Sequence, residues 1–385
     1  MTSVRLPSAD GGWSTYQLRE PASWATVSGP PAGRRAYAAA HVVAEPRLDN
    51  RPGAPAGIDW DSTLAFRRHL WSWGLGVADA MDTAQRGMGL DWESTQELIR
   101  RSAAEARSVG GQISCGAGTD HLLPSANSLD AVIAGYTEQL AVVEDAGATP
   151  ILMASRHLAA AADGPQDYLA VYDKLLGQVA SPVILHWLGP MFDPALAGYW
   201  GHEDVAAATD VVLEIIAAHT DRIDGIKVSL LDAAHEQGLR SRLPDGVRLY
   251  TGDDFNYPEL IKGDGTHHSD ALLGIFAAIA PAAATALAAL DQGDHAAYDE
   301  AFAATVPLAR HLFSEPTYYY KTGIAFLAWL SGHQPGFLMV GGLQSGRSPM
   351  HLIDTFRLAD AAGLLPDPDL AAERMGQFLA VNGLV

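Results

Sequence analysis

Lysine is scarce in this chain. Only Lys174, Lys227, Lys262 and Lys321 occur, and the other basic positions are arginine. Lys227 lies in the run Ile223-Asp224-Gly225-Ile226-Lys227-Val228-Ser229, where branched apolar residues surround Gly225 and polar Ser229 and Asp232 follow. The run reads as a buried strand with a lysine at its far end. A charged amine is costly to bury, and desolvation lowers its pKa towards neutrality. The neutral amine is a nucleophile that forms a Schiff base with a carbonyl compound. The same residues also fit a lysine that snorkels to the rim or pairs with a carboxylate there.

The elements that would position Lys227 alternate along the chain. Strand candidates fall at 35–44, 73–80, 112–117, 149–154, 182–188, 225–229, 247–251 and, weakly, 263–268, each followed by a helix or helical turn. Eight such units predict an α/β fold, a (β/α)8 TIM barrel over residues 35–280. Residues 1–34 read as an N-terminal arm with a short hairpin, and 281–385 as a C-terminal helical extension packed on the barrel. A doubly wound open sheet is the other α/β option. It would carry a glycine-rich loop after its first strand, where this chain has His41-Val42-Val43-Ala44-Glu45-Pro46.

The bulk properties narrow the partners. With 45 acidic against 25 basic residues, the chain lacks the basic face of a nucleic-acid binder. Cys115, its only cysteine, excludes an internal disulfide and a cysteine-built metal site. The first residues hold no apolar run of the signal-peptide kind, and no stretch approaches the ~20 apolar residues of a membrane span. The expectation is a cytoplasmic protein with a small-molecule substrate and no membrane or nucleic-acid partner.

Barrel active sites gather at the carboxyl ends of the strands. The polar residues predicted there include His41, the stretch Asp82-Thr83-Ala84-Gln85-Arg86-Gly87, Arg156, His186, Asp254, and His267-His268-Ser269-Asp270. A histidine within strand five and a lysine within strand six are the two that loop polarity alone does not account for. His186 would move protons near neutral pH.

Several segments, in order, resemble the dihydrodipicolinate synthase and N-acetylneuraminate lyase superfamily of class I aldolases. They are Gly225-Ile226-Lys227, Leu249-Tyr250-Thr251-Gly252-Asp253-Asp254, Pro182-Val183-Ile184-Leu185-His186, Gly116-Ala117-Gly118, and Phe313-Ser314-Glu315-Pro316 with Lys321. The resemblance implies a barrel with a helical tail, a homo-oligomer (dimer or tetramer), and a Schiff base on Lys227 with no cofactor beyond that covalent imine. It also implies substrate contacts from Asp82, Thr83, Asp254, His268 and Ser269, with Arg86 or Arg156 as a carboxylate clamp. The departures mark a divergent branch. His186 stands where the family has a tyrosine, and Asp82-Thr83-Ala84-Gln85-Arg86-Gly87 replaces the loop that holds a 2-oxo acid. The expected activity is that of a Schiff-base lyase, aldolase or dehydratase in type, acting on a sugar-derived oxo acid or keto-sugar. Two alternatives stay open. One is a divalent-metal-dependent barrel using His41, Asp82, His186, Asp254 and His267. The other is a barrel that binds a ligand without catalysis.

Overall fold

Eight short runs of small and branched residues pair in parallel and close into a barrel in the computed structural model, which describes residues 2–8, 10–27 and 29–384. A hairpin of β1 (Ser3–Pro7) and β2 (Trp13–Gln17) comes first. The repeating units follow as β3 (Ala36–Ala39), α1 (Trp60–Ser72), β4 (Gly76–Asp79), α2 (Trp92–Val109), β5 (Ile113–Ala117), α3 (Leu129–Asp145), β6 (Thr149–Leu152), α4 (Arg156–Ala161) and α5 (Pro165–Leu176). The barrel is completed by β7 (Val183–Leu188), α6 (Val205–Ala218), β8 (Ile223–Ser229), α7 (Ala233–Arg240), β9 (Arg248–Thr251), α8 (Tyr257–Lys262), β10 (Asp270–Leu273) and α9 (Ala280–Asp291). The tail consists of α10 (His295–Ala303), α11 (Thr305–Leu312), α12 (Tyr320–Leu330), α13 (Pro349–Ala361) and α14 (Pro368–Val381). Around the barrel the strands run β10-β3-β4-β5-β6-β7-β8-β9. The (β/α)8 TIM barrel with a helical extension is therefore the fold.

Local chemistry fixes where the helices begin. The side chains of Asp59, Asp91, Ser128, Asp204 and Asp232 each accept a hydrogen bond from a backbone N–H in the first turn of the following helix. Such a cap contributes about 1 kcal/mol. Alternate strand residues then divide between two cores. Tyr37, Ala39, Ala78, Ile151, Ile184, Tyr250 and Leu272 fill the barrel lumen, while Ala38, Val77, Leu185, Ile226 and Val228 pack outward against the helices. A bulge in β8 sets Ile184 opposite Gly225 and leaves Asp224 over. Asp224 is tied by Arg35 and the Tyr250 hydroxyl. From Gly225 on, the odd residues of β8 face the lumen, and Lys227 is one of them.

The last barrel strand departs from the expectation. It is Asp270–Leu273, not 263–268. The polar residues Asp264 to His268 are an exposed loop ahead of it. The hydrophobic run Ala271-Leu272-Leu273 is what pairs with β3 and β9. His267 and His268 thus sit at the amino end of the barrel, opposite Lys227.

The hairpin of the arm is held from the tail side, because the Asp360 carboxylate of α13 accepts from the Tyr16 hydroxyl at 2.8 Å and the Arg19 amide at 3.1 Å. Among the described residues no helix is long and apolar enough to cross a membrane.

One buried ion pair joins the first two units. Arg67 of α1 makes two bonds to Asp79, at 2.7 and 2.6 Å, and also donates to the carbonyls of His41 and Thr63. Both side chains are fully buried. Removing one partner would strand the other charge in the core. Arg67→Met is expected to lower the unfolding free energy by ~3–5 kcal/mol. Denaturant titration checks this, and a loss below about 1 kcal/mol, the scale of an exposed pair, would contradict it.

Candidate active site at the carboxyl end of the barrel

Lys227 is 6 % exposed. Strand register sets it directly beside His186 on β7. Its stem runs across Gly252 just past β9, where a Cβ would fall 2.9 Å from Lys227 Cε and 2.2 Å from Ser229 Oγ. A Cβ there would also fall 2.7 Å from the Val228 carbonyl oxygen, a backbone atom that cannot move aside, so a residue without a side chain is required. Among the described residues no carboxylate forms an ion pair with Lys227. Burial pushes its pKa down, while the nearby Asp82 and Asp254 carboxylates oppose that shift. The amine is thus a weaker base than an ordinary lysine.

The neighbouring groups are set by different elements. Asp254, in the loop after β9, is buried and accepts from the Ile275 amide at 2.8 Å. Burial raises its pKa well above the carboxylate range; the Ile275 bond and Lys227 only partly offset this. Asp82 heads a single 3-10 turn, Asp82–Ala84, after β4. Burial works against its charge, but Lys227, Lys321, the Tyr320 hydroxyl and His186 together hold its pKa below the usual value. His186 is fully buried. Its Nε2 lies 3.4 Å from Ser229 Oγ, and its Nδ1 has no partner. Burial, and then the Lys227 charge, drive its pKa well below that of free histidine, so it is a neutral imidazole with a spare nitrogen in the lumen.

Two further residues arrive from α12, far along the chain. The Tyr320 hydroxyl donates to Asp82 Oδ2 at 2.7 Å and lies 2.5 Å from Thr83 Oγ1. Its ring stacks on Phe313 with centroids 4.3 Å apart. Lys321 follows it, buried, with Nζ 3.2 Å from Met88 Sδ. The structure therefore brings Lys227, His186, Asp82, Thr83 and Asp254 to one end of the barrel and adds Tyr320 and Lys321. The sequence signal for the last two was polar chemistry at the head of an otherwise apolar helix, but nothing local indicated that this helix would cap the barrel.

Other expected site residues are placed elsewhere. Arg86 does not stand free as a carboxylate clamp. Its guanidinium donates to Asp120, to Gln139 Oε1 and to the carbonyls of Ala80 and Gly116, so its donors are occupied by the wall. Arg156 is bound to Asp193 at 2.5 Å. Ser269 donates to Glu236 Oε1 at 2.7 Å and receives a bond from Arg240 beneath α7. With His268 it is remote from Lys227, because the strand follows these residues and does not precede them. His41 is turned onto Gln334 Oε1 at 2.7 Å. Tyr199 and Trp200, in the insertion after β7, are buried against Tyr168 and Tyr172. Among the described residues no group of three or more His, Cys, Asp and Glu side chains is arranged to hold a metal ion.

The comparisons with known proteins fit this architecture. A family model described as "Protein of unknown function (DUF993)" matches residues 4–384. No curated protein matches the chain. Among solved structures, dihydrodipicolinate synthase from Aquifex aeolicus superposes with a TM-score of 0.65 at 12% identity, covering 86% of this chain and 99% of that one. The 4-hydroxy-tetrahydrodipicolinate synthase of Methylacidiphilum fumariolicum gives 0.65 at 14%, covering 91% and 99%. A prophage protein of the dihydrodipicolinic acid synthase family from E. coli K12, in complex with pyruvate, gives 0.65 at 14%, covering 86% and 99%. At these identities the likeness establishes the fold.

The packing of Lys227 on Gly252 yields a prediction. Gly252→Ala is expected to push on Ser229, the Val228 carbonyl and the lysine stem together, at a cost of ~1–3 kcal/mol in stability. Covalent labelling of Lys227 by an amine-reactive aldehyde should slow at least tenfold; unchanged labelling with unchanged melting temperature would contradict the packing argument.

Proposed function

This chain belongs to the DUF993 family, and we propose that it is a Schiff-base-forming lyase acting on a small carbonyl compound. The observation that carries the reading is Lys227, a buried amine of lowered basicity without an ion-pair partner, set among a carboxylate, a protonated carboxyl and a neutral imidazole. That is the environment in which a lysine becomes a nucleophile.

Each group has a role in this reading. The neutral Lys227 amine adds to the carbonyl carbon. His186 takes the proton that the new C–N bond makes acidic and passes it to the alkoxide oxygen, giving the carbinolamine hydroxyl. Asp254, kept protonated by burial, gives its proton to that hydroxyl, which leaves as water. The resulting iminium withdraws electrons from the adjacent carbon, so that a C–H or C–C bond there breaks. Asp82, bonded to Tyr320, accepts the proton released, and Thr83 supports that hydroxyl. Aldol cleavage, condensation and dehydration all follow from the same intermediate. No metal or organic cofactor takes part.

Borohydride reduction in the presence of oxo acids and keto-sugars tests the reading. A covalent adduct should map to Lys227 by mass spectrometry and vanish in Lys227→Met; absence of any adduct across both classes would overturn it. Asp82→Asn should still trap substrate while exchange of the substrate α-proton in deuterated water falls ~100-fold or more, the scale of a lost general base. The pH dependence has a defined sign. The free amine is the reactive form, so the trapping rate should rise with pH and level off below the ordinary lysine pKa of 10.5. The charged Asp82 favours the ammonium form, so Asp82→Asn should move that inflection to lower pH. An inflection that stayed in place or moved up would contradict the assigned coupling.

A further inference from the structure

Lys321 is unexplained by imine chemistry. It lies in α12, where every residue from Tyr320 to Leu330 is buried. Its side chain is 2 % exposed. Among the described residues the sole hydrogen-bond partner of its Nζ is the Met88 thioether, 3.2 Å away, which is a weak acceptor. Among the described residues no carboxylate forms an ion pair with it. Asp82 acts on it through space, but that carboxylate already accepts from Tyr320 and also faces Lys227. Burial lowers the Lys321 pKa to about 8, so the amine is still largely charged at neutral pH. A buried cation with no counter-ion is retained against its own desolvation. The surrounding arginines do not replace it, because Arg86 is saturated by the wall and Arg156 is paired with Asp193.

From this unpaired, buried ammonium at the same end of the barrel as Lys227, we infer that Lys321 binds a carboxylate of the substrate. The substrate is then an acid-bearing carbonyl compound and not a neutral keto-sugar. This rests on the imine reading of Lys227 for the word substrate, while the anion contact stands on Lys321 itself. One ammonium matches one negative charge. A dianionic phosphate would leave one charge unmatched by Lys321, with the Asp82 carboxylate close by. Met88 is the flexible element, since an unbranched thioether yields its place easily to an entering anion. The acid group is therefore held from the helical extension, while the strand-two loop contributes Asp82 and Thr83 to proton handling.

The test compares matched probes. Pyruvate and 4-oxopentanoate are each set against their methyl esters in borohydride trapping at Lys227. Wild type is expected to trap at least one of the two acids at tenfold or lower concentration than its ester. In Lys321→Met that preference should fall to within twofold while ester trapping persists. Removing an unpaired buried charge should also raise the melting temperature of Lys321→Met, which separates lost recognition from lost folding. A preference that survives in Lys321→Met, or the absence of any acid preference in wild type, would overturn the inference. Should no probe be trapped at all, the imine reading fails by itself, and calorimetric titration with propanoate and pentanoate decides the anion contact. Binding that weakens at least tenfold in Lys321→Met supports it; equal binding, or none to wild type, refutes it.

Discussion

The proposed imine chemistry depends on keeping a primary amine dry without giving it a salt bridge. An ion pair would hold Lys227 protonated and inert, whereas open water would leave it an ordinary strong base. The fold meets both conditions by setting it on an inward position of a central strand, between an imidazole neighbour and a glycine that leaves room for its stem. Asp82 and Asp254 stand close enough to act on the amine electrostatically, yet neither forms an ion pair with it. Burial separates their states, since Asp254 is pushed towards the neutral acid and Asp82 stays an anion through its lysine and tyrosine neighbours. Two carboxyl groups of opposite protonation beside one amine give a donor and an acceptor without a change of pH.

That arrangement requires the loop carrying Asp82 to be rigid. It is anchored at both ends by buried arginines. Arg67 grips Asp79 at the end of β4, and Arg86 reaches back to the carbonyls of Ala80 and Gly116 and across to Asp120 and Gln139. Planar guanidinium groups suit this work, since several donors fix direction as well as distance. The scarcity of lysine has a counterpart here. Arginine serves structural pairing, while two of the four lysines, Lys227 and Lys321, are buried at one end of the barrel; Lys174 is exposed and Lys262 pairs with Asp299 at 2.6 Å.

The helical tail is part of the site. Tyr320 and Lys321 come from α12, with Tyr320 lying 238 positions beyond Asp82. Phe192, Phe313 and Tyr320 pack edge and face over this end. The cover buries the titrating groups, and burial is the largest influence on Lys227, His186, Asp82 and Asp254. Arg86, with its donors taken by Asp120, Gln139 and two backbone carbonyls, serves as a strut in the wall.

Much of this was legible in the residues. The alternation of apolar runs and amphipathic helices fixed the number of units, because strand and helix periods and their caps are local properties. The rarity of lysine within an apolar run marked Lys227, because composition and hydrophobic pattern are read from the chain directly. The eighth strand is the exception. The polar, histidine-rich stretch 263–268 is a loop, Ala271-Leu272-Leu273 holds the apolar residues that pair, and His268 and Ser269 therefore lie at the amino end of the barrel. The partners of Arg86 were hidden for another reason. Gly116, Asp120 and Gln139 lie 30, 34 and 53 positions away, and only the pairing of β4 with β5 and the packing of α3 make them neighbours. The sequence alone determined which groups bear chemistry and on which elements they ride. The tertiary structure decided which of them meet, which are already satisfied, and which charges remain unpaired, because desolvation and hydrogen bonding depend on every residue packed around a group and not on its neighbours in the chain.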